Sequence, residues 1–182
     1  MKFLTALALF LPLQAAPWKA EEEMLKALDQ GKIPAMACIT FNETKTLNSA
    51  VVGTTRSDKK FKPAKDAAWH IGSDGKAMTA TLMARLVEKK LVTWDTTVAE
   101  IFPKEAKDFH PDAAKVTITQ LLSHTAGLPA NPQPLDRLKS RLAVTKIALK
   151  EKPAEGFLYS NWGYIIAGAV VEKLTKSTWE KA

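Results

Sequence analysis

Apolar residues fall at helical spacing in Glu21–Gln30, with Met24, Leu25 and Leu28 on one side. Gly31 stops the pattern and Pro34 marks the turn beyond it. Two β-rich runs follow, Ala35–Phe41 and Leu47–Gly53. The polar tetrad Asn42-Glu43-Thr44-Lys45 between them predicts a hairpin. A polar loop, Thr54 to Lys65, leads to Trp69 and then to a strongly helical run from Asp74 to Lys90. Ala77, Leu82 and Leu86, with Ala80, Met83 and Val87, make that run apolar on more than one side, the pattern of a central helix. Thr117-Ile118-Thr119-Gln120 has the T-x-x-Q form of a capping box. It predicts a short helix carrying Leu121 and Leu122 and ending at Gly127, with Pro129 beyond. Leu135 to Ala148 predicts another helix through Leu135, Leu138, Leu142 and Ile147. Asn161 is expected to cap a last long helix through Leu174, packed through Tyr164, Ile165, Gly168 and Val171. No repeat or low-complexity stretch interrupts this α+β pattern.

Length and composition narrow the class. With 182 residues, 46% hydrophobic and 25% charged, the chain suffices for one domain with a real core. Met1-Lys2, the apolar stretch Phe3 to Leu13 and the small residues Ala15-Ala16 read as a secretory signal peptide, residues 1–16. The apolar stretch is well short of the about 20 residues that span a bilayer. Residues 17–182 are then the mature domain, exported to the periplasm or the exterior, with no membrane span after cleavage. The net charge of +7 is scattered, in small clusters at Lys59-Lys60 and Lys89-Lys90, without the aromatic-interleaved basic stripe of a nucleic-acid binder. Cys38 is the only cysteine, so no intramolecular disulfide forms, and its place in a strand predicts a buried small hydrophobe. His70, His110 and His124 are far apart in sequence, and no Cys/His pattern has metal-ligand spacing; neither a metal nor a cofactor is expected.

The chemistry is concentrated in Ser73-Asp74-Gly75-Lys76. A serine hydroxyl needs a base beside it to act as a nucleophile. If Ser73 opens a helix, Lys76 lies three residues on, on the same face, and a neutral amine there can approach the hydroxyl. Partial burial or a neighbouring cation would favour that neutral form. Alone, S-x-x-K is a weak signal, equally a surface lysine behind an N-cap serine. Two further segments sharpen it: Leu121-Leu122-Ser123-His124-Thr125-Ala126-Gly127-Leu128-Pro129, and Tyr159-Ser160-Asn161 followed by Gly163-Tyr164.

In this order the three motifs resemble those of the serine β-lactamase and penicillin-binding-protein superfamily, closest to its class C β-lactamase and esterase branch. The resemblance covers almost all of the mature chain. It implies an antiparallel sheet flanked by helices plus a helical subdomain. It implies Ser73 as the acylated nucleophile and Lys76 as base or proton shuttle. Tyr159 would share the base work and protonate the leaving group, and Asn161 would orient the substrate and hold Lys76. Which of Lys76 and Tyr159 takes the first proton stays open. His124 is expected to be structural, pinning the end of its helix. The substrate would be a small molecule or a cell-wall peptide with an amide or ester bond. Gly75 departs from the Ser or Thr usual in relatives, and Lys176 stands where glycine is common.

The other end of the chain carries its own expectation. Ser177-Thr178-Trp179-Glu180 reads as a capping box opening a helix, yet only Lys181 and Ala182 follow. The third motif of the superfamily, K-T-G or H-x-G, is not in the sequence. In the family the strand after that motif supplies the second oxyanion donor beside the Ser73 N–H. On this reading the chain is truncated and the C-terminal part of the sheet is missing. Three functions follow: a serine hydrolase acting through an acyl-serine; an inactive remnant or binding module for a cell-wall ligand; or one half of a split enzyme completed by a second, C-terminal chain.

Overall fold

The computed structural model describes residues 19–31, 33–56, 61–133 and 139–182. The proposed signal peptide lies outside these. The chain divides into two compact units, residues 1–70 and 71–182.

The first unit holds helix α1 (Ala20–Gly31) and strands β1 (Ala35–Phe41) and β2 (Thr46–Gly53). The strands pair antiparallel from Ala35↔Gly53 to Phe41↔Thr46, with a register shift between Thr40 and Phe41. Asn42 sets the hairpin: its Oδ1 accepts the N–H groups of Thr44 (3.0 Å) and Lys45 (2.9 Å), a side chain standing in for a backbone turn. Alternation along β2 turns Ala50 and Val52 inward. They form a small core with Met24 of α1, and Leu28, Met36 and Cys38 pack against it. Leu25 departs from expectation. It sits next to Met24 but on the outer side of α1, 52% exposed, because a helix this short buries a narrow stripe. Cys38 is half-buried rather than buried.

The second unit is helical, with α2 (Gly75–Glu88), α3 (Val98–Ile101), α4 (Ile118–Leu122), α5 (Arg141–Ala148) and α6 (Asn161–Thr175). The most buried helix is α6, not α2: Ile166, Ala167, Gly168, Ala169, Val170 and Val171 are all buried in succession. An uninterrupted run of small and branched residues allows neighbours to approach it on several sides. On α2 it is Thr79, Met83 and Leu86 that are buried, and Leu82 and Val87 pack at the margin, whereas Ala77 is exposed.

The capping box at Thr117 forms: Thr117 Oγ1 accepts the Gln120 N–H at 3.2 Å and Gln120 Oε1 accepts the Thr117 N–H at 2.9 Å. A second box, Thr97 with Glu100, opens α3 with the same T-x-x-E/Q spacing. The two threonines face each other in an antiparallel bridge, so two short helices share one start.

Several boundaries differ from expectation. α2 begins at Gly75 after a 3₁₀ turn, Gly72–Asp74, and ends at Glu88. α4 ends at Leu122, not Gly127. α5 starts at Arg141, because Ser140 Oγ accepts the Ala143 N–H and caps it there; the earlier part of the expected helix, 134–138, lies outside the described residues. The cap of α6 is Ser160, not Asn161, which is already helical. Thr178 precedes a 3₁₀ turn, Trp179–Lys181, and no capping box forms, because Glu180 pairs with Arg141 at 2.9 Å instead.

Candidate active site

Ser73 lies in the 3₁₀ turn that feeds α2. Gly72 has φ +54°, a backbone that glycine adopts without the penalty a Cβ would bring, and it turns the chain so that Ser73 stands exposed at the helix start. Lys76 sits in the first turn of α2, half-buried. Its Nζ donates to Ser73 Oγ at 3.0 Å. The three-residue spacing therefore does what helical geometry allows.

The other two groups come from the N-terminal end of α6. Tyr159 OH lies 2.8 Å from Ser73 Oγ. Asn161 Oδ1 accepts from Lys76 Nζ at 2.6 Å, and Asn161 Nδ2 donates to Asn131 Oδ1 at 2.6 Å. The second contact fixes which way the amide faces, so Oδ1 is the atom offered to Lys76. Ser160, between them, is buried. Its Oγ accepts the Gly163 N–H (3.3 Å) and donates to the Pro129 carbonyl (2.6 Å). This pair of bonds anchors the Tyr159–Asn161 segment.

The four residues singled out in the sequence thus form one cluster: Lys76 and Tyr159 reach Ser73 Oγ, and Asn161 joins through Lys76. Sequence reasoning did not find Asn131. It lies in a Pro-rich loop with no periodicity, and only the fold brings it to Asn161. Nor did it find the wall beyond Lys76. An open cleft of about 240 Å³ is lined there by Gly75, Lys76, Thr79, Arg141, Asn161 and Trp179, among others. Trp179 Nε1 donates to Thr79 Oγ1 (3.1 Å). Arg141 bonds Glu172 (2.6 Å) and Glu180 (2.9 Å), so its charge is already met.

The electrostatics separate the two tyrosines. Hydrogen bonding from Lys76, then from Ser73, pulls the Tyr159 phenol below its ordinary value near 10. Burial, then the neighbouring Tyr159, pushes Tyr164 above it, and Tyr164 OH donates to the Leu122 carbonyl at 3.0 Å. Lys76 Nζ stands 4.8 Å from the Tyr159 ring centre and 5.6 Å from that of Tyr164. The phenol that touches Ser73 is the one eased toward its anion.

His124 occupies a left-handed position, φ +62°, just past α4. Its Nδ1 accepts the Ser160 N–H at 3.0 Å. Burial, then the charge on Lys76, holds the imidazole below its ordinary value near 6.5. It is structural in a different way from expectation: its bonds hold the Leu158 and Ser160 N–H groups before α6 rather than the end of α4.

A family model described as Beta-lactamase matches residues 19–182. The chain belongs to the β-lactamase family. Among curated proteins it is 28% identical over 179 residues to Penicillin-binding protein 4 of Amycolatopsis lactamdurans, covering 94% of this chain and 46% of that one. It is 26% identical over 162 residues to Protein flp of Staphylococcus aureus (strain COL), covering 85% of this chain and 32% of that one. Among solved structures, the class C β-lactamase from Rhodobacter sphaeroides superposes with a TM-score of 0.69 at 18% identity, over 89% of this chain and 46% of that one. The α+β fold is therefore β-lactamase/transpeptidase-like, and the superfamily is that of the serine β-lactamases and penicillin-binding proteins. The chain spans a third to just under half of the length of these relatives.

Proposed function

We propose that this β-lactamase-family chain forms an acyl-serine on Ser73 with an amide or ester substrate. The observation that carries the reading is the convergence of Lys76 Nζ (3.0 Å) and Tyr159 OH (2.8 Å) on Ser73 Oγ. Serine nucleophiles need this neighbourhood, a base within hydrogen-bond reach that is itself oriented by a third group. Asn161 supplies the orientation.

The steps follow from the geometry. Ser73 gives its proton to a neutral Lys76 amine or to a Tyr159 phenolate, and Oγ bonds to the substrate carbonyl carbon. The carbonyl π pair moves to oxygen, and the Ser73 backbone N–H serves as one donor to that oxyanion. Collapse breaks the bond to the amine or alcohol, which leaves with the proton that the base had taken. Water then cleaves the acyl-serine. Lowering of the Tyr159 phenol supports a share for it in the first transfer.

The relative named as a penicillin-binding protein suggests a β-lactam as probe, and the signal-like N-terminus suggests an exported protein meeting small-molecule or cell-wall peptide substrates. The test is intact mass of the chain after incubation with benzylpenicillin and, separately, with a fluorophosphonate, with Ser73→Ala as control. A single adduct that the control lacks is expected. A cooperatively folded chain that takes up neither reagent would exclude the acyl-serine reading and leave the ligand-binding one.

A further inference from the structure

His124 lies against the nucleophile cluster and takes no part in the acylation steps above. Its hydrogen bonds converge on one segment. The His124 carbonyl accepts the Leu158 N–H at 3.0 Å, and the imidazole Nδ1 accepts the Ser160 N–H at 3.0 Å. These are the two residues on either side of Tyr159. The ring itself lies 4.4 Å from the Tyr159 ring, tilted by 33°. A single residue therefore holds the backbone before and after the phenol and packs against the phenol as well.

The turn alone does not call for histidine. A left-handed position with φ +62° is better served by glycine, or by asparagine. What histidine adds is the imidazole, which is the part that reaches Ser160 and Tyr159. That reach has a protonation requirement. The Ser160 N–H can be received only by a bare Nδ1, so the neutral ring must carry its hydrogen on Nε2. An imidazolium has N–H at both nitrogens and loses the bond. The groups packed on the ring are Tyr159, Tyr164 (5.3 Å) and the edge of Phe157 (6.0 Å), and the charged group acting on it is Lys76. Protonation would set a second cation near Lys76.

We infer that His124 is a positioning residue for Tyr159: as neutral imidazole its Nδ1 holds the Ser160 N–H and so sets the phenol against Ser73, and on protonation that bond is lost while the Leu158 bond to the His124 carbonyl stays. The inference rests on the acyl-serine reading for what Tyr159 does, but the clamp can be measured without turnover.

The chain has two tyrosines, so tyrosine labelled with ¹³C at Cζ gives two resonances, assigned with Tyr159→Phe. Titrations compare the wild type with His124→Phe, which keeps a flat ring without the acceptor. His124→Asn is the rescue, since its Oδ1 takes the place of Nδ1 and asparagine tolerates the backbone. Tyr159 should titrate below its ordinary value in the wild type and in His124→Asn, and move up in His124→Phe. Fluorophosphonate labelling of Ser73 should fall roughly 10-fold or more in His124→Phe, as misplaced catalytic groups do. The wild type should also lose labelling as His124 protonates, and His124→Asn should lack that acid limb. A folded His124→Phe with Tyr159 titration and labelling unchanged overturns the clamp. If that variant does not fold, labelling that falls through the His124 titration as steeply in His124→Asn as in the wild type, beyond the fall set by protonation of Lys76 or Tyr159, overturns it. If the wild type is not labelled at all, the acyl-serine reading fails separately, and exchange of the Ser160 amide decides. Protection above the His124 titration and loss below it supports the clamp; an amide indifferent to pH refutes it.

Discussion

Ser160 carries more than its share of the site, and its replacement by alanine is a direct measure of how the Tyr159–Asn161 segment is held. One oxygen, on a residue only 3% exposed, makes two bonds. It caps α6 by accepting the Gly163 N–H at 3.3 Å, and it donates to the Pro129 carbonyl at 2.6 Å. Loss of a serine cap costs about 1 kcal/mol, with a range of roughly 0.5–2. A typical further hydrogen bond adds about 0.5–1.5 kcal/mol net. Ser160→Ala should therefore destabilise the chain by about 2 kcal/mol. Ser140 supplies the control, because it caps α5 through Ala143 at 3.2 Å from an exposed position and its hydroxyl makes no second bond among the described residues. Ser140→Ala should cost about 1 kcal/mol. Urea unfolding followed by tryptophan fluorescence, at constant slope, reads both. The difference between the two variants is the contribution of the Pro129 bond. If Ser160→Ala costs no more than Ser140→Ala, the anchoring of this segment by Pro129 is refuted. Labelling of Ser73 gives a second readout, since a looser anchor should slow it in Ser160→Ala and leave it untouched in Ser140→Ala.

Gly75 has helical φ and ψ, and a Cβ there would meet nothing within 4 Å; Gly75→Ala should raise stability by about 0.4–1 kcal/mol in the same urea assay. Lys176 ends α6 in the left-handed region at φ +54°, so Lys176→Gly should gain about 1 kcal/mol, read as a higher urea midpoint. Asn161→Asp replaces the neutral acceptor 2.6 Å from Lys76 Nζ with a carboxylate, which favours the ammonium. Fluorophosphonate labelling at neutral pH should then fall by roughly 10-fold or more. The His124 imidazole is held below 6.5 in the folded chain by burial and by Lys76, so the unfolded chain binds more protons just below that pH. The stability it contributes is fully present above 6.5 and is lost as pH falls through the lower folded value. Urea midpoints between pH 8 and 5 (both about a unit or more from 6.5) should fall more steeply for the wild type than for His124→Asn.

What the sequence disclosed depended on the range of the interaction. β1 and β2 were read almost residue for residue, because alternation and an Asx turn are local signals. The Thr117 and Thr97 capping boxes are legible for the same reason, each a local T-x-x-Q or T-x-x-E spacing. Helix starts were less secure where two capping residues adjoin. Ser160 and Asn161 are both good caps, and the choice between them fell to Pro129, which gives the Ser160 hydroxyl a second partner. Glu180 had the spacing for a local cap, but Arg141 claims it from the distant α5. The burial of α6 exceeds that of α2 for a reason composition hints at but cannot rank: its glycines and alanines allow close approach. Gly168, for example, lies where a Cβ would press on the Arg141 side chain. Within the site, Ser73 and Lys76 were visible as a pair from helical spacing. Tyr159 and Asn161 were assigned by resemblance, and Asn131 by neither.

The placement of these groups has a common electrostatic logic. Ser73 stands at the N-terminal end of α2, and Tyr159 lies just before the cap of α6. Both helices are long, 14 and 15 residues, and each presents the end where unpaired N–H groups favour negative charge. The Lys76–Asn161 bond ties these two ends together at 2.6 Å. Acylation needs negative charge in just this region, first on the phenolate or serine oxygen and then on the tetrahedral oxyanion. A fold that brings two helix N-termini to one hydroxyl lowers the cost of each of these anions by a few tenths to about 1 kcal/mol per helix. The same arrangement explains why the two tyrosines diverge. Tyr159 reaches Ser73 and Lys76 at the shared end, whereas Tyr164, one turn into α6, donates a hydrogen bond to the Leu122 carbonyl at the C-terminal end of α4. On the proposed mechanism Tyr159 would serve proton transfer, while Tyr164 holds α4 against α6. The distinction arises from where each stands along the helices rather than from any difference in their chemistry.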